Sequence, residues 1–263
     1  MKDFLFLQLS ELPYFRAFLR AVESSYYQEL PLPTPTYDVG CGDGHFASLT
    51  FEQKIDIGLD PWHGPIHEAG KRKAYGALVE ADAARSPFPD HYFASAFSNS
   101  VLEHIPHIDA VLVETSRVLK PGAPFYFCVP NTRYLSELSL SRVLGRGYTE
   151  WFRRMSRVSH ADDAPVWKSR LENSGFELVR YWNYFSPSAM RVLEWGHYFG
   201  VPSLVAHRLT GRWIIAPTKW NLWLTERYVK QYASPVPVEN GTFTFYIARR
   251  SIDLLPARSR TAQ

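Results

Sequence analysis

The sequence predicts an α/β fold built on a mostly parallel sheet, and three observations carry that prediction. Between residues 36 and 130, short apolar runs of strand character alternate with segments of helical periodicity. The first run enters a glycine turn, DVGCGDG at 38–44, of the kind that joins a strand to a helix beside a nucleoside. Two further strand-like runs follow beyond Gly175, which brings the strands to seven.

Residues 3–30 place Leu9, Leu12, Phe15, Phe18, Leu19 and Val22 at helical spacing, interrupted by Pro13, and run into the prolines of 31–35. This predicts an N-terminal helical cap and linker over 1–35. Strands are then expected at Thr36–Val39, Ile55–Leu59, Ala77–Glu80, Phe93–Ser98 and Phe125–Val129. Helices are expected from about His45, around Pro65–Tyr75 and at Ile108–Leu119. Alternation of this kind implies parallel strands covered on both faces. A helix at Ala164–Ser174 stops at Gly175, a strand follows at Phe176–Tyr181, and Gly241–Arg249 reads as the last strand. The main domain is thus expected over 36–250, with a flexible tail at 251–263. Between the last two strands, at about 183–240, lie Trp195, Trp213, Trp220 and Trp223 with several tyrosines and phenylalanines. So many large apolar residues predict a folded helical insertion, because a linker could not keep them solvated.

Composition excludes several classes. With 46% hydrophobic and 21% charged residues, the chain can bury a sizeable core and is not of disordered type. A net charge of +3, without a clustered basic stripe, is too mild for a nucleic-acid grip, so no nucleic-acid partner is expected. Two cysteines, Cys41 and Cys128, cannot build a disulfide framework and fit a reducing compartment. The opening Phe4–Leu7 run is too short for a signal core or a membrane span. The expectation is a cytoplasmic protein, with peripheral contact at a membrane through the aromatic insertion left open. No metal site is expected.

The spacing of the turn narrows the ligand. Gly40, Gly42 and Gly44 fit GxGxG, whereas a dinucleotide fingerprint would need glycine where His45 stands. An acidic residue 20 positions after Gly40, Asp60, can accept from both ribose hydroxyls. S-adenosylmethionine has that ribose and no pyrophosphate. In an open parallel sheet, ligands sit beyond the carboxyl ends of the strands, where the turn, Asp60, Asp82 and Ser98–His104 all fall.

Five segments in order resemble the class I S-adenosylmethionine-dependent methyltransferases of small-molecule type: DVGCGDG, GLD at 58–60, EADA at 80–83, SPFPDHYF with SNSVLEHI over 86–105, and VLKPGAPFYFCVPN at 118–131. The resemblance implies a Rossmann-like sheet whose last strand is antiparallel. It implies that Asp38, Gly40, Cys41, Gly42 and Gly44 hold the methionine end of S-adenosylmethionine and that Asp60 takes the ribose. It further implies that Pro61 or Trp62 covers the adenine, that Asp82 and Ala83 face its amino edge, and that Ser98 and Asn99 lie under the sulfonium. S-adenosylhomocysteine would be the product. The chain departs from the common pattern at Ala94 and Ala123, neither of which is a cofactor contact.

For catalysis the resemblance points to Glu103 and His104, and the residues themselves add His160, followed by Asp162 and Asp163. Each has a bland reading: Glu103–His104 as a helix entry, His160 as a plain helix start. The expected activity is methyl transfer to oxygen or nitrogen of a small-molecule or lipid-linked acceptor. A protein acceptor, or a cofactor-binding module that acts without turnover through the aromatic insertion, stands as the alternative.

Overall fold

A computed structural model describes residues 2–252. Seven strands form one sheet in the order β3-β2-β1-β4-β5-β7-β6. The first five, β1 (Thr36–Val39), β2 (Ile55–Asp60), β3 (Tyr75–Glu80), β4 (Ser95–Asn99) and β5 (Pro124–Pro130), are parallel. The last, β7 (Phe243–Arg250), inserts antiparallel between β5 and β6 (Phe176–Tyr184). The order reverses between β1 and β4, so the crevice beyond their carboxyl ends is the natural place for a ligand.

Strand pleating sends alternate residues to two apolar layers. Phe125, Phe127, Tyr246 and Ala248 face one layer, where helices α5 (Ile108–Val118) and α8 (Ala164–Asn173) contribute Val111, Leu112, Trp167 and Leu171. Tyr126, Cys128, Phe243 and Phe245 face the other, shared with the N-terminal helices α1 (Phe4–Glu11) and α2 (Tyr14–Tyr27). Helix α2 buries Ala17, Phe18, Ala21, Val22 and Tyr27 in that layer, so the N-terminal cap is part of the main core. Short α3 (His45–Thr50) follows the glycine turn directly.

Some boundaries differ from the sequence expectation. Helix α4 spans His63–Arg72 and is ended by Lys73 in the left-handed region, which frees Tyr75 to open β3. Strand β6 runs on to Tyr184, because β7 pairs with it along its whole length. Phe93, expected within β4, makes only an isolated bridge to Leu119. Two helices were not expected: α6 (Arg133–Ser136) and α7 (Ser141–Met155), the latter kinked where Gly145 takes φ 66°. Gly145 and Gly147 dilute the helical pattern there. Between β6 and β7 lie α9 (Pro187–Phe199), α10 (Val201–Thr210) and α11 (Lys219–Lys230). Among the described residues, no helix is long and apolar enough to cross a membrane. The tail expected at 251–263 lies outside the described residues beyond Ile252, while Ser251 N–H still donates to the Gly175 carbonyl.

One buried carboxylate ties these parts together. Glu23 on α2 has no solvent exposure. It accepts from the Asn99 amide at 2.8 Å and the Ser100 hydroxyl at 3.2 Å at the carboxyl end of β4, and from the Tyr184 hydroxyl at 2.9 Å at the end of β6. Arg20 lies 3.4 Å away one turn back on α2. Removing one partner of such a cluster leaves the others buried and unpaired. Glu23→Ala is therefore expected to cost about 3 kcal/mol of stability in urea unfolding. A loss under about 1 kcal/mol would mean that water already satisfies the cluster.

Candidate active site

The glycine turn is shaped by its neighbours. Gly40 and Cys41 N–H both donate to the Leu59 carbonyl at 2.9 Å, which folds the turn across the end of β2. Gly40 takes φ 81°, and a Cβ there would sit 2.4 Å from a methyl of Val101. Gly42, at φ 54°, has no protein atom within 4 Å of where its Cβ would be, so its open side faces free space. That space is a cavity of about 380 Å³ lined by Asp38, Gly40, Cys41, Gly42, Arg16 and Asn99, among others.

Two carboxylates border the turn. Asp38 is buried on β1 and accepts from the Tyr75 hydroxyl at 2.6 Å. Burial outweighs that bond and pushes the Asp38 carboxyl up to about 7, with the Asp60 charge adding to the rise. Asp60 closes β2 and accepts from Gly42 N–H at 3.1 Å and Trp62 N–H at 3.0 Å. Burial raises its carboxyl as well, against those two bonds. Each oxygen keeps a lone pair for a further donor.

The remaining expected contacts divide. Trp62 is 70% exposed and Pro61 is exposed, so the adenine side is an open shelf. Asp82 is exposed and spends one oxygen on Ala84 N–H at 2.9 Å, capping its own turn, while Ala83 is buried. Ser98 is not free to meet a ligand: it is buried and donates to the Val39 carbonyl at 2.7 Å, pinning β4 to β1. Asn99 lines the cavity, and its buried side-chain oxygen lacks a partner.

A second cavity of about 480 Å³ also borders α2. Phe15, Leu19, Tyr134, Met155, Leu193 and Phe243 give it apolar walls, and Glu103 and His104 line it too. Arg16 and Arg20 line both cavities, so the two chambers meet at this face of α2. Glu103 is buried, with one carboxylate oxygen unpartnered, and burial raises its carboxyl although His104 opposes the shift. The His104 Nδ1 lies 2.9 Å from the Arg157 carbonyl. A carbonyl only accepts, so Nδ1 carries the proton, and in the neutral ring Nε2 keeps a free lone pair 3.8 Å from Glu103.

His160 does not join this pair. Its Nε2 donates to the Ile105 and Pro106 carbonyls at 3.0 and 3.2 Å, its Nδ1 faces Arg170, and it lines neither chamber. The structure thus gives it a bracing position between the β4–α5 connection and the start of α8. Sequence reasoning missed Arg16, Arg20, Glu23 and Tyr75. The available signal was a pair of arginines one turn apart on a helix whose first two turns are otherwise apolar.

Residues 37–127 match the family described as a methyltransferase domain, on a sheet of the order given above. This domain belongs to the class I S-adenosylmethionine-dependent methyltransferases. The chain is 30% identical over 148 residues to a fatty-acid O-methyltransferase of Mycolicibacterium smegmatis, covering 54% of this chain and 47% of that protein. It is 34% identical over 126 residues to the ubiquinone/menaquinone biosynthesis C-methyltransferase UbiE of Brucella canis, covering 41% and 45%. The chain therefore spans about half the length of the curated relatives it matches. The fold is also that of phosphoethanolamine N-methyltransferase 2 of Haemonchus contortus in complex with S-adenosyl-L-methionine. That likeness has a TM-score of 0.56 at 17% identity and covers 91% of this chain and 54% of the other.

The residues present fit S-adenosylmethionine. Asp38 and the open side of Gly42 suit the methionine end, the Asp60 carboxylate beside the turn suits a ribose diol, and Asn99 lines the same cavity as Asp38 and Gly42. When bound, the cofactor supplies an activated sulfonium methyl.

Gly42→Val fills the open side and is expected to weaken S-adenosylhomocysteine binding at least tenfold by calorimetry, at a fold cost of about 1–2 kcal/mol. Equal affinity in the folded variant would remove Gly42 from the site. Asp38 yields a pH prediction. Its native carboxyl holds a proton up to about 7, against an ordinary value of 3.8. Its contribution is thus full below about pH 4 and is lost as pH rises through 7. Asp38→Asn keeps an acceptor for Tyr75, so urea unfolding is expected to show a shallower decline in stability across that window than wild type. Parallel pH profiles would show Asp38 to be ionised throughout.

Proposed function

We propose that the chain transfers a methyl group from S-adenosylmethionine to oxygen or nitrogen of a small, largely apolar acceptor. The observation that carries this reading is the pair of chambers that meet at Arg16 and Arg20: a polar one at the glycine turn and an apolar one at Glu103 and His104. Methyl transfer asks mainly for in-line positioning of a nucleophile, with a base where that nucleophile must lose a proton. The His104 Nε2 lone pair, oriented by the Arg157 carbonyl, suits that base. Glu103 beside it suits the role of holding the imidazolium once formed. The apolar walls suit a hydrophobic acceptor such as the fatty acid in the name of one relative.

A second reading is favoured by charge. Arg16, Arg20 and Arg157 line the apolar chamber with Glu103 as its one acid. That rim suits an acceptor carboxylate, which needs no base. The two readings part at His104. With a hydroxyl acceptor, His104→Asn is expected to lower kcat by about 100-fold or more while leaving S-adenosylhomocysteine affinity unchanged. With a carboxylate acceptor such as a fatty acid, kcat stays close to wild type and Arg16→Ala raises KM instead. Tight cofactor binding without turnover across hydroxyl, amine and carboxylate acceptors would leave a binding module as the function.

A further inference from the structure

Helix α11 is amphipathic in an unusual sense. It turns Leu222 and Val229 inward, yet the opposite face is also apolar: Trp220, Trp223 and Leu224 are 89%, 60% and 70% exposed, at positions one turn apart. Arg227 continues the stripe, with its guanidinium 6.0 Å from the Trp223 ring centre. Nearby in sequence, Leu209 on α10 and Ile215 after it are 80% and 63% exposed. An outward face of this kind marks a surface that meets something other than water.

Charge identifies the partner. Between residues 200 and 236 the cations are Arg208, Arg212, Lys219, Arg227 and Lys230, and the one acid is Glu226. A two-fold contact with a second copy would set this cationic patch against itself. Tryptophans that stand proud of a helix among lysines and arginines instead match the boundary between lipid headgroups and acyl chains. We infer that the outer face of α11, with Leu209 and Ile215, docks on the surface of an anionic lipid bilayer.

The same insertion covers the site. His207 and Trp213, stacked with ring centres 4.2 Å apart, line the glycine-turn chamber, and Leu193 and His197 of α9 line the apolar one. Docking through α11 holds both chambers close to the bilayer, the phase in which an apolar acceptor dissolves.

Vesicle flotation of the full chain tests this, with phosphatidylcholine vesicles compared to vesicles that also contain phosphatidylglycerol. Wild type is expected to float with the anionic vesicles, to be released by salt, and to show a blue shift of tryptophan emission on binding. Trp220→Ser, Trp223→Ser and Leu224→Ser together remove exposed groups only. They are expected to cut partitioning at least tenfold while circular dichroism and S-adenosylhomocysteine affinity stay unchanged. Arg227→Glu with Lys230→Glu is expected to abolish the preference for anionic lipid. Wild type that stays unbound at low salt would overturn the inference. So would a wild-type dimer that the triple variant converts to monomer, since the face would then be a self-association surface.

Discussion

The arrangement depends on satisfying one carboxylate. Glu23 sits in the layer between α2 and the sheet, where an ionised group without partners would cost several kcal/mol. Its partners come from three places in the chain: Arg20 on its own helix, Asn99 and Ser100 at the carboxyl end of β4, and Tyr184 at the end of β6. The cluster therefore fixes α2 across the carboxyl ends of the strands, where the site must form. It also holds Ser100 at φ 50°, a left-handed conformation that a serine adopts only when its surroundings impose it. The Asn99 amide nitrogen is committed to Glu23, and the residue lines the cavity at the glycine turn. One buried carboxylate thus holds a side chain at the edge of that cavity.

The position of α2 explains why there are two chambers rather than one wide cleft. Its inner face packs on the sheet through Phe18, Val22 and Tyr27, and the Tyr27 hydroxyl donates to the Ser98 carbonyl at 2.6 Å. Its Arg16 and Arg20 project where the two spaces meet. The carboxyl groups raised by burial fall on either side of this boundary, Asp38 and Asp60 with the glycine turn and Glu103 with the apolar walls. Cationic side chains between acidic groups lower the cost of holding those acids in a dry site. The arginines are thereby explained electrostatically whichever acceptor binds.

What the sequence made legible is local. Strand β5 was visible because a central strand buried on both faces reads as a continuous apolar run, Phe125–Val129, whereas β1, β2 and β4 carry Asp, Ser or Asn and were visible from their place in the strand–helix alternation. The turn was visible because its glycines suit left-handed backbone, and at Gly40 a Cβ would also collide with Val101. Glu23, Tyr75 and Arg20 were invisible because their roles lie in partners 76 or more positions away for Glu23–Asn99 and 37 away for Tyr75–Asp38. Helix α7 was hidden by Gly145 and Gly147, and tertiary packing of Tyr148 and Phe152 overrides that weak propensity. His160 shows the opposite failure. A histidine followed by two aspartates looks like a base with its orienting carboxylates, and only the fold reveals that two carbonyls already hold its ring nitrogen.

The insertion was legible as a folded mass of aromatics, but its relation to the site follows from a close approach that composition cannot express. A Cβ at Gly196 of α9 would lie 2.2 Å from the Phe15 Cβ on α2, so the two helices touch backbone to side chain with no space between them. Phe15 also packs against His197 with the ring centres 4.3 Å apart and the planes tilted by 36°, and Tyr14 meets Tyr228 of α11 edge-on at 6.5 Å. Glu194, buried on α9, accepts from Tyr148 at 2.7 Å and from the backbone ahead of α7. These contacts join α2, α7, α9 and α11 into one packed unit. The arginines at the meeting of the chambers, the walls of the apolar chamber and the outward stripe of tryptophans all belong to it. Close-packed elements do not deform independently, so a constraint placed on the outer face of α11 bears on the geometry at Arg16 and Arg20.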